Sequence, residues 1–380
     1  MYPDGVELED GVKAHWTAVG YDENLTETWK YEFDIENGNI YLDKVKLSND
    51  GKLYCAGIEN TIILSYNIAH YHIAQGNIIG DSYHLLIADP INKTNKLIDL
   101  GIRDSTIISY SMDLDGNEAV FYGLTGSRMN RSDATGMFVK KMSGEGEELF
   151  YTVQAFSDDL LTYNEDINPK QKGLGTSKTK EKQMRRNFIL DDIRFTESGD
   201  MVFLAEQFNY YVTETMNTSA PGSPNNSVEI DHYVYGDIIA ISCTKSGDVK
   251  WMRRIVKYQH TTNDQGFYSS YYAKMKGDEL HLLANDTEYY VNYKEFKDAA
   301  LSVKSKAKKN EVLSSISISA TGDVDRRIHI QSENEDNYYR CAPKTINEIS
   351  EGVLLMAGVQ SVRKGMLTSK YQVVGSLRTK

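Results

Sequence analysis

A tight turn that carries a glycine recurs five times along the chain, each time between two short segments in which apolar and polar residues alternate. Alternation with a period of two is typical of β-strands. A tight turn between two strands needs a residue that accepts a positive φ angle, and glycine does so at no steric cost. The intervals between the glycines are 65, 83, 78 and 75 residues. The pattern therefore predicts a repeated β-unit, whose turn glycines are Gly51, Gly116, Gly199, Gly277 and Gly352.

The repeated unit is clearest between residues 188 and 257, where four strand-like segments, A to D, follow one another. A recurring unit of four antiparallel strands is the blade of a β-propeller, a fold that leaves only short and protected sheet edges. A β-sandwich is the competing all-β fold, but it predicts fewer repeats and no recurrent order of turns. The four segments are Phe188–Phe195, Met201–Gln207, Gly236–Ser242 and Val249–Ile255.

We expect residues 1–380 to form a single all-β domain, a propeller of about five four-stranded antiparallel blades whose ring is either closed or incomplete. The N-terminal partial blade reads as strands C and D alone, whereas the last repeat supplies A, B and C alone. Either a strand from the N-terminal end completes the last blade, or further blades precede Met1, and truncation is the favoured alternative. The partial blade covers 13–34, and the blades cover 38–102, 105–155, 187–257, 268–331 and 343–380.

Charge and composition argue against several classes of function. The net charge of −12 argues against nucleic acid as a partner, because phosphate binding needs clustered Lys and Arg. No apolar run approaches the roughly 20 residues that a membrane span needs. The N-terminal residues lack the charged and apolar regions of a signal peptide. Cys55, Cys243 and Cys341 show no metal-ligand spacing, and the first two lie in apolar strand patterns that indicate buried free thiols.

The connections between the predicted strands differ in length from one side of the blades to the other. The A–B and C–D turns are short, whereas the B–C and D–A connections are long and rich in Tyr and His. Extended connections on a rigid scaffold usually carry binding, and Tyr suits contacts with a glycan or a protein. In the alternative interpretation, these aromatic residues pack the connections onto the blades. The long connections are Ile58–Ser82, Leu124–Thr135, Asn209–Tyr235 and Asp286–Leu313 for B–C, and Gln154–Asn187 for D–A.

The D–A connection at residues 257–271 is the most distinctive run, because it is polar and aromatic without a repeated charge. It is predicted to lie near the ring centre, with the end of the next B strand pointing toward the same rim. The competing interpretation is that its Asn, Asp and Ser side chains cap a tight loop through local hydrogen bonds. The candidate ligand-face residues are Glu206, Tyr235, Lys257, Gln259, Asn263, Asp264, Tyr268, Asn285 and Asp286.

No catalytic, cofactor or metal signature stands out. His70 and His72 would share one face of a strand but lack an identifiable third ligand. The run 113–117 resembles the start of a calcium loop, yet no Glu occupies its twelfth position. There is no Gly-x-Ser-x-Gly elbow, and the Trp motif of quinone-dependent dehydrogenases does not recur. We therefore expect a non-enzymatic binding protein without cofactor or metal, and the alternative is a polysaccharide lyase or glycoside hydrolase with a central pocket.

Five blocks of the sequence carry a resemblance to known proteins: Ala205–Phe208, Tyr235–Ala240, Gly247–Met252, Lys257–Ser270 and Ala284–Asp286. With these blocks the chain resembles a family of uncharacterised Bacteroidetes β-propeller-repeat proteins, from about Trp29 onward. Tyr258 departs from the pattern, since the family tends to have a basic residue there. The resemblance implies a propeller, further N-terminal repeats and a periplasmic or extracellular location, and it implies no reaction.

Overall fold

The computed structural model describes most of the chain and shows an all-β protein, as predicted. Two short helical segments accompany the strands, the single turn α1 (Glu288–Val291) and a 3-10 turn (Pro343–Thr345). None of the helical residues described forms a helix long and apolar enough to cross a membrane. The described residues are 13–36, 40–59, 62–63, 78–79, 82–102, 107–127, 130–157, 160, 184–185, 187–191, 193–217, 226–291, 311–331, 338–364 and 367–378.

The chain divides into two compact units. The first contains the chain up to Phe156 together with Ser246–Asp248, and the second contains Ser157–Lys245 and Val249 onward. Each unit is built from antiparallel sheets that follow one another in chain order. The single domain expected from the sequence stays a prediction.

The first unit begins with a hairpin and a four-stranded sheet. The hairpin strands pair with each other and form a two-stranded sheet of their own. In the four-stranded sheet, the B–C connection contains a further short strand pair, β5 with β6. The strands are β1 (Ala14–Tyr21), β2 (Glu27–Ile35), β3 (Ile40–Leu47), β4 (Leu53–Glu59), β5 (Ile62–Ile63), β6 (Ile78–Ile79), β7 (Ser82–Asp89) and β8 (Thr94–Asp99), and the sheet order is β3-β4-β7-β8.

The next sheet of this unit repeats the order A to D. Its strands are β9 (Ile107–Asp115), β10 (Glu118–Ser127), β11 (Asn130–Met142) and β12 (Glu148–Ala155). The short strand β13 (Met184–Arg185) lies in the connection that follows and belongs to the second unit.

The central strands of the first four-stranded sheet are buried on both faces, because a neighbouring sheet covers each face. Tyr54 and Leu85 pack with Phe121 of the following sheet, whereas Cys55 and Leu86 pack with the N-terminal hairpin. Successive side chains of a strand point to opposite faces, so each central strand serves two cores. Strands buried on both sides read as near-continuous apolar runs, which is the pattern of β4 and β7.

The second unit opens with the largest sheet, in which strand A is split and two strands are unusually long. Strands β16 and β17 have 17 and 18 residues and pair along almost their whole length. The strands are β14 (Asn187–Leu190), β15 (Arg194–Phe195), β16 (Met201–Asn217), β17 (Asn226–Cys243), β18 (Val249–Ile255) and β19 (Gln259–Thr262).

Two further sheets complete the second unit. The first has the order β20-β21-β22-β23, and in the second both halves of strand A pair with β26, whose other edge pairs with β27. The strands are β20 (Tyr272–Lys276), β21 (Glu279–Thr287), β22 (Glu311–Ile318), β23 (Val324–Gln331), β24 (Tyr338–Cys341), β25 (Asn347–Ser350), β26 (Val353–Lys364) and β27 (Leu367–Arg378).

The three sheets of the second unit pack in chain order in the same way as those of the first. Leu204 and Ile238 share a core with Leu282, and the adjacent Leu283 turns to the other face and packs with Met356. Each fully buried side chain of this size contributes about 1.5–3 kcal/mol to folding. The recurrent four-strand order is confirmed, and the sheets are not closed into a ring by any strand pairing among the described residues.

The structure confirms the five predicted glycine turns, but some of the connections that were predicted as loops are strands. All five turn glycines have positive φ angles. The B–C connection predicted at Asn209–Tyr235 is wrong as a loop, because β16 and β17 continue through most of it as a paired hairpin. The connection predicted at Leu124–Thr135 is likewise mostly strand, and the segment 257–271 contributes β19 to the sheet. Alternating aromatic and β-branched residues between Phe208 and Thr215 are the signal for the long hairpin.

Candidate functional site

A buried ion pair lies where the D strand β18 ends. The Lys257 side chain is fully buried, and its Nζ lies 2.7 Å from Oε1 of Glu206. Glu206 precedes a bulge in β16, where the register with β17 shifts between Glu206 and Phe208. A bulge re-aims the side chain beside it. The second carboxylate oxygen of Glu206 accepts a hydrogen bond from Ser270 Oγ at 2.5 Å.

Gln259 connects this ion pair to the next sheet. Its side-chain oxygen accepts hydrogen bonds from Lys257 Nζ at 2.9 Å and from the backbone N–H of Ser270 at 2.6 Å. Its amide nitrogen donates to the carbonyls of Ser270 and Asn285, at 3.1 and 2.6 Å. All four hydrogen-bonding positions of the amide are thus used. Gln259 therefore fixes the loop 257–271 against the end of β21.

Asn285 has a corresponding role between the last two sheets. Its amide nitrogen donates to the carbonyls of Tyr268 and Cys341, both at 2.7 Å. Its oxygen accepts the backbone N–H of Cys341 at 3.0 Å. These bonds pair backbone C=O and N–H groups of two separate segments, which would otherwise be buried without a hydrogen-bond partner.

Near Lys257, the buried carboxyl group whose pKa is shifted most is that of Asp286. Its side chain is completely buried; Oδ1 accepts the N–H of Thr287 at 2.8 Å, and Oδ2 lies 3.7 Å from Arg326 Nη1. Burial raises the pKa of Asp286 to about 6, against the opposing attraction of Arg326 and Lys257. Burial also lowers the pKa of Arg326, so in both partners the pKa shift reflects the unfavourable removal of a charge from water.

The ion pair between Asp237 and Arg254, which also lies buried beside Lys257, was not predicted from the sequence. Asp237 Oδ2 accepts hydrogen bonds from Nε and Nη2 of Arg254 at 2.7 and 2.5 Å, and Oδ1 accepts the backbone N–H of Lys257 at 3.2 Å. Asp237 follows the Tyr-Gly dipeptide of strand C, and Arg254 pairs with Ile239, two positions along from Asp237, so the two side chains share a face of the sheet. A charged residue directly beside an apolar run, as at Asp237 and Arg254, was the available signal.

The buried charges form what we call the anchor cluster, made of three carboxylates and three cations. Charge balance and hydrogen bonds compensate for lost hydration, which is the condition under which buried charges are tolerated. The side chains are committed to one another and to backbone groups, so in this arrangement they brace the strand ends. A role of these residues in contacting a ligand stays a prediction. The cluster consists of Glu206, Asp237, Arg254, Lys257, Asp286 and Arg326.

Asn263 and Asp264 lie in the turn that follows β19. Asn263 has a φ of 55°, and its side-chain oxygen accepts the backbone N–H of Asp231 at 2.9 Å. Asp264 accepts the N–H of Gly266 at 2.9 Å through Oδ1. Side chains of this type commonly stabilise turns by such local bonds. The bond of Asp264 is local and agrees with the capping interpretation, whereas Asn263 bonds to β17, 32 residues away in the chain. The half-buried Tyr268 lies edge-on to Phe267 in the same turn.

Tyr235 is buried between the anchor cluster and this turn. Its ring lies 5.9 Å from Lys257 Nζ and 5.6 Å from Lys344 Nζ, within the range of cation–π attraction. Burial raises the pKa of its hydroxyl, and the charge of Glu206 adds to the shift. A Cβ at Gly266 would lie 2.7 Å from the Tyr235 hydroxyl, so glycine is needed there for space.

Beyond β18, the long hairpin continues as what we call the arm: residues 207–217 of β16, 226–235 of β17, and β19. Three rings on one of its faces lie in a row that crosses the three strands: Tyr211 stacks on His232, and His232 meets His260 edge to edge through their ring nitrogens. Tyr211 and His232 lie 4.5 Å apart with their planes at 7°, and His232 and His260 lie 5.1 Å apart at 25°. Tyr211 is 39% exposed, so this row faces solvent.

Some predicted features fall outside the described residues. His70 and His72 do so, as does most of the D–A connection Gln154–Asn187. All three cysteines are buried and none forms a disulfide, which confirms the buried thiols predicted at Cys55 and Cys243. No protein-family model and no curated protein matches this chain.

Proposed function

We propose that this chain is a propeller-repeat binding protein of the bacterial envelope, non-enzymatic, which takes a glycan or a protein on the side of its B–C and D–A connections. In the proposal, each four-stranded sheet is one blade, and successive blades are arranged around a common axis. The recurrent A-to-D order and the packing of consecutive sheets within each unit support this arrangement. The envelope location rests on the resemblance of the sequence alone.

The observation that carries the binding role is the arm. Strand β18 covers β17 only from Ile238 to Cys243, so the arm continues past the end of the four-stranded sheet. It is ordered sheet, not a loose loop, because β19 pairs with β17 between His232 and Tyr235. The anchor cluster and Gln259 hold its base in place. A rigid projection costs little conformational entropy on binding.

The exposed surface of the arm suits polar recognition. Tyr211, at one end of this row, is 39% exposed, and a tyrosine hydroxyl both donates and accepts hydrogen bonds. Such a hydroxyl forms hydrogen bonds with sugar hydroxyls or peptide groups. Val212, on the opposite face, adds an apolar contact and is 41% exposed. A hydrolytic function has less support, because the buried carboxylates are tied to cations.

The test is removal of the arm tip. Residues 211–232 are replaced by Asn-Gly, a two-residue turn suited to joining paired strands. This keeps the ring pairs Tyr210–Tyr233 and Phe208–Tyr235 at the base. Both chains are applied to an oligosaccharide microarray and, immobilised, to an envelope extract analysed by mass spectrometry. We expect specific binding by the full chain and its loss in the shortened chain, with thermal unfolding nearly unchanged.

A control on the opposite side keeps the test specific. Thr321 lies in the short C–D turn between β22 and β23, where its hydroxyl donates to Asp323. Thr321→Ala leaves the arm intact and should leave binding unchanged. A folded chain without the arm tip that still binds the same partners as the full chain would refute the proposal.

A further inference from the structure

Two histidines on neighbouring strands of the arm are close enough to act on one ion. His232 lies on β17 and His260 on β19, and they are diagonal neighbours on the same face, because His232 is paired with Thr262 and His260 with Val234. Nδ1 of His232 and Nε2 of His260 lie 2.9 Å apart. Both side chains are half-buried beside exposed residues, so water reaches the pair.

The separation of these nitrogens matches a coordination geometry. Imidazole nitrogens bind divalent metals at about 2.0–2.1 Å. Two ligands at right angles therefore lie roughly 2.9 Å apart, whereas two ligands at a tetrahedral angle lie roughly 3.3 Å apart. Square-planar and octahedral ions use the first angle, and imidazole ligands with that geometry favour Cu²⁺ or Ni²⁺. In the protein without an ion, this 2.9 Å separation is that of a hydrogen bond between the two rings, and it equals the spacing that two adjacent ligands of such an ion have.

Two contacts hold His232 in this position. Thr213 Oγ1 lies 2.7 Å from Nε2 of His232, the ring nitrogen that does not face His260. A partner on the second nitrogen fixes the tautomer and the orientation of a metal-binding histidine. Tyr211 stacks on the other side of the His232 ring, with the planes at 7°. These contacts keep Nδ1 of His232 directed toward His260 before any ion arrives.

We propose that His232 and His260 form a binding site for a divalent transition-metal ion, Cu²⁺ first and Ni²⁺ next. Among the described residues, no group of three or more His, Cys, Asp and Glu side chains is placed to hold a metal, so the protein supplies two ligands here and water completes the coordination. The ion takes the place of the hydrogen bond between the two rings and joins β17 to β19. The site is independent of the proposed glycan or protein ligand.

The test is titration of the full chain with Cu²⁺ at neutral pH, followed by calorimetry and by electron paramagnetic resonance. We expect one equivalent bound, with hyperfine coupling from two imidazole nitrogens. His232→Ala and His260→Ala should each abolish this two-nitrogen signal. Thr213→Val removes the hydroxyl and should weaken binding about 10- to 100-fold. Circular dichroism establishes that each variant is folded.

His329→Ala is the control, because His329 is an exposed histidine on β23 that contacts Ser315 instead of another histidine. It should bind Cu²⁺ as the unmodified chain does. Since His70 and His72 could also bind the ion, both are replaced by Ala in the titrated chain and in each variant of it. Two-nitrogen coupling that is retained in His232→Ala on this background, or that is missing from the background itself, would overturn the proposal.

Discussion

At the scale of single residues, the buried ammonium group of Lys257 determines much of the anchor cluster. A buried ammonium is tolerated only if a carboxylate and further acceptors replace the water it loses. Glu206 and Gln259 provide this replacement at 2.7 and 2.9 Å. Glu206 lies on β16, whereas Lys257 and Gln259 lie on the segment 257–271, so the charge is neutralised only when these two segments have come together.

Lys257→Met should destabilise the protein by about 3–5 kcal/mol, because Glu206 would keep a buried charge without its cation. The free energy of unfolding in urea measures the effect. Lys344→Met is the control: this lysine also faces Tyr235 but is exposed, and its replacement should cost less than about 0.5 kcal/mol. If Lys257→Met were as mild as the control, the ion pair would not have the importance given to it here.

Asp286 should make stability depend on pH. Its pKa is about 6 in the folded protein and roughly 3.9 in an unfolded chain, so the folded state binds the proton more tightly. The stabilising contribution is complete below about pH 4 and is lost as the pH rises through 6. Relative to Asp286→Asn, the protein should therefore lose on the order of 2 kcal/mol between these limits. Denaturant unfolding of both chains between about pH 4 and 7 tests this, and a constant difference would contradict it.

The sequence placed several of these residues in one region but did not identify their contacts. Lys257, Gln259 and Asn285 were predicted near one rim because they lie at strand ends, and the structure does bring them together. Asp237 and Arg254 were missed, because a charge within a strand usually points to solvent and only the packing of the next sheet buries it. Local sequence carries no record of that packing.

At the scale of elements, the turn after β19 depends on one glycine. Gly266 has a φ of 69°, and a Cβ there would lie 2.7 Å from the Tyr235 hydroxyl. Gly266→Ala should therefore destabilise by more than the roughly 1–2 kcal/mol that the left-handed conformation costs an alanine. Gly199→Ala is matched, since Gly199 has a φ of 83° and open space around its Cβ position. Equal losses in unfolding free energy would show that contact with Tyr235 does not matter.

The strands were predictable from the sequence where apolar and polar side chains alternate. They were less predictable in the arm, where β16 and β17 continue beyond the end of β18. Predicted strands such as Val249–Ile255 match the structure, because apolar residues and a glycine turn mark them. The arm was taken for a loop, because exposed residues such as Tyr211, Val212 and Thr213 follow one another there without the buried face that marks a strand. Pairing between β16 and β17, in addition to burial, defines those strands.

At the scale of the whole molecule, the repetition of a four-strand unit was the clearest pattern in the sequence. Five turn glycines with positive φ correspond to five sheets in the same strand order, and consecutive sheets within a unit share cores. Ring closure was not predictable in the same way. It depends on how the last sheet, which has strands A to C, meets the rest of the chain, and no periodic pattern encodes that.

Small-angle X-ray scattering of the full chain tests the propeller arrangement most directly. Blades around one axis predict a single compact particle, with a radius of gyration of about 21 Å for a chain of this length and one maximum in the pair-distance distribution. A second maximum, together with a clearly larger radius, would mean that the sheets form separate bodies, and it would contradict the propeller.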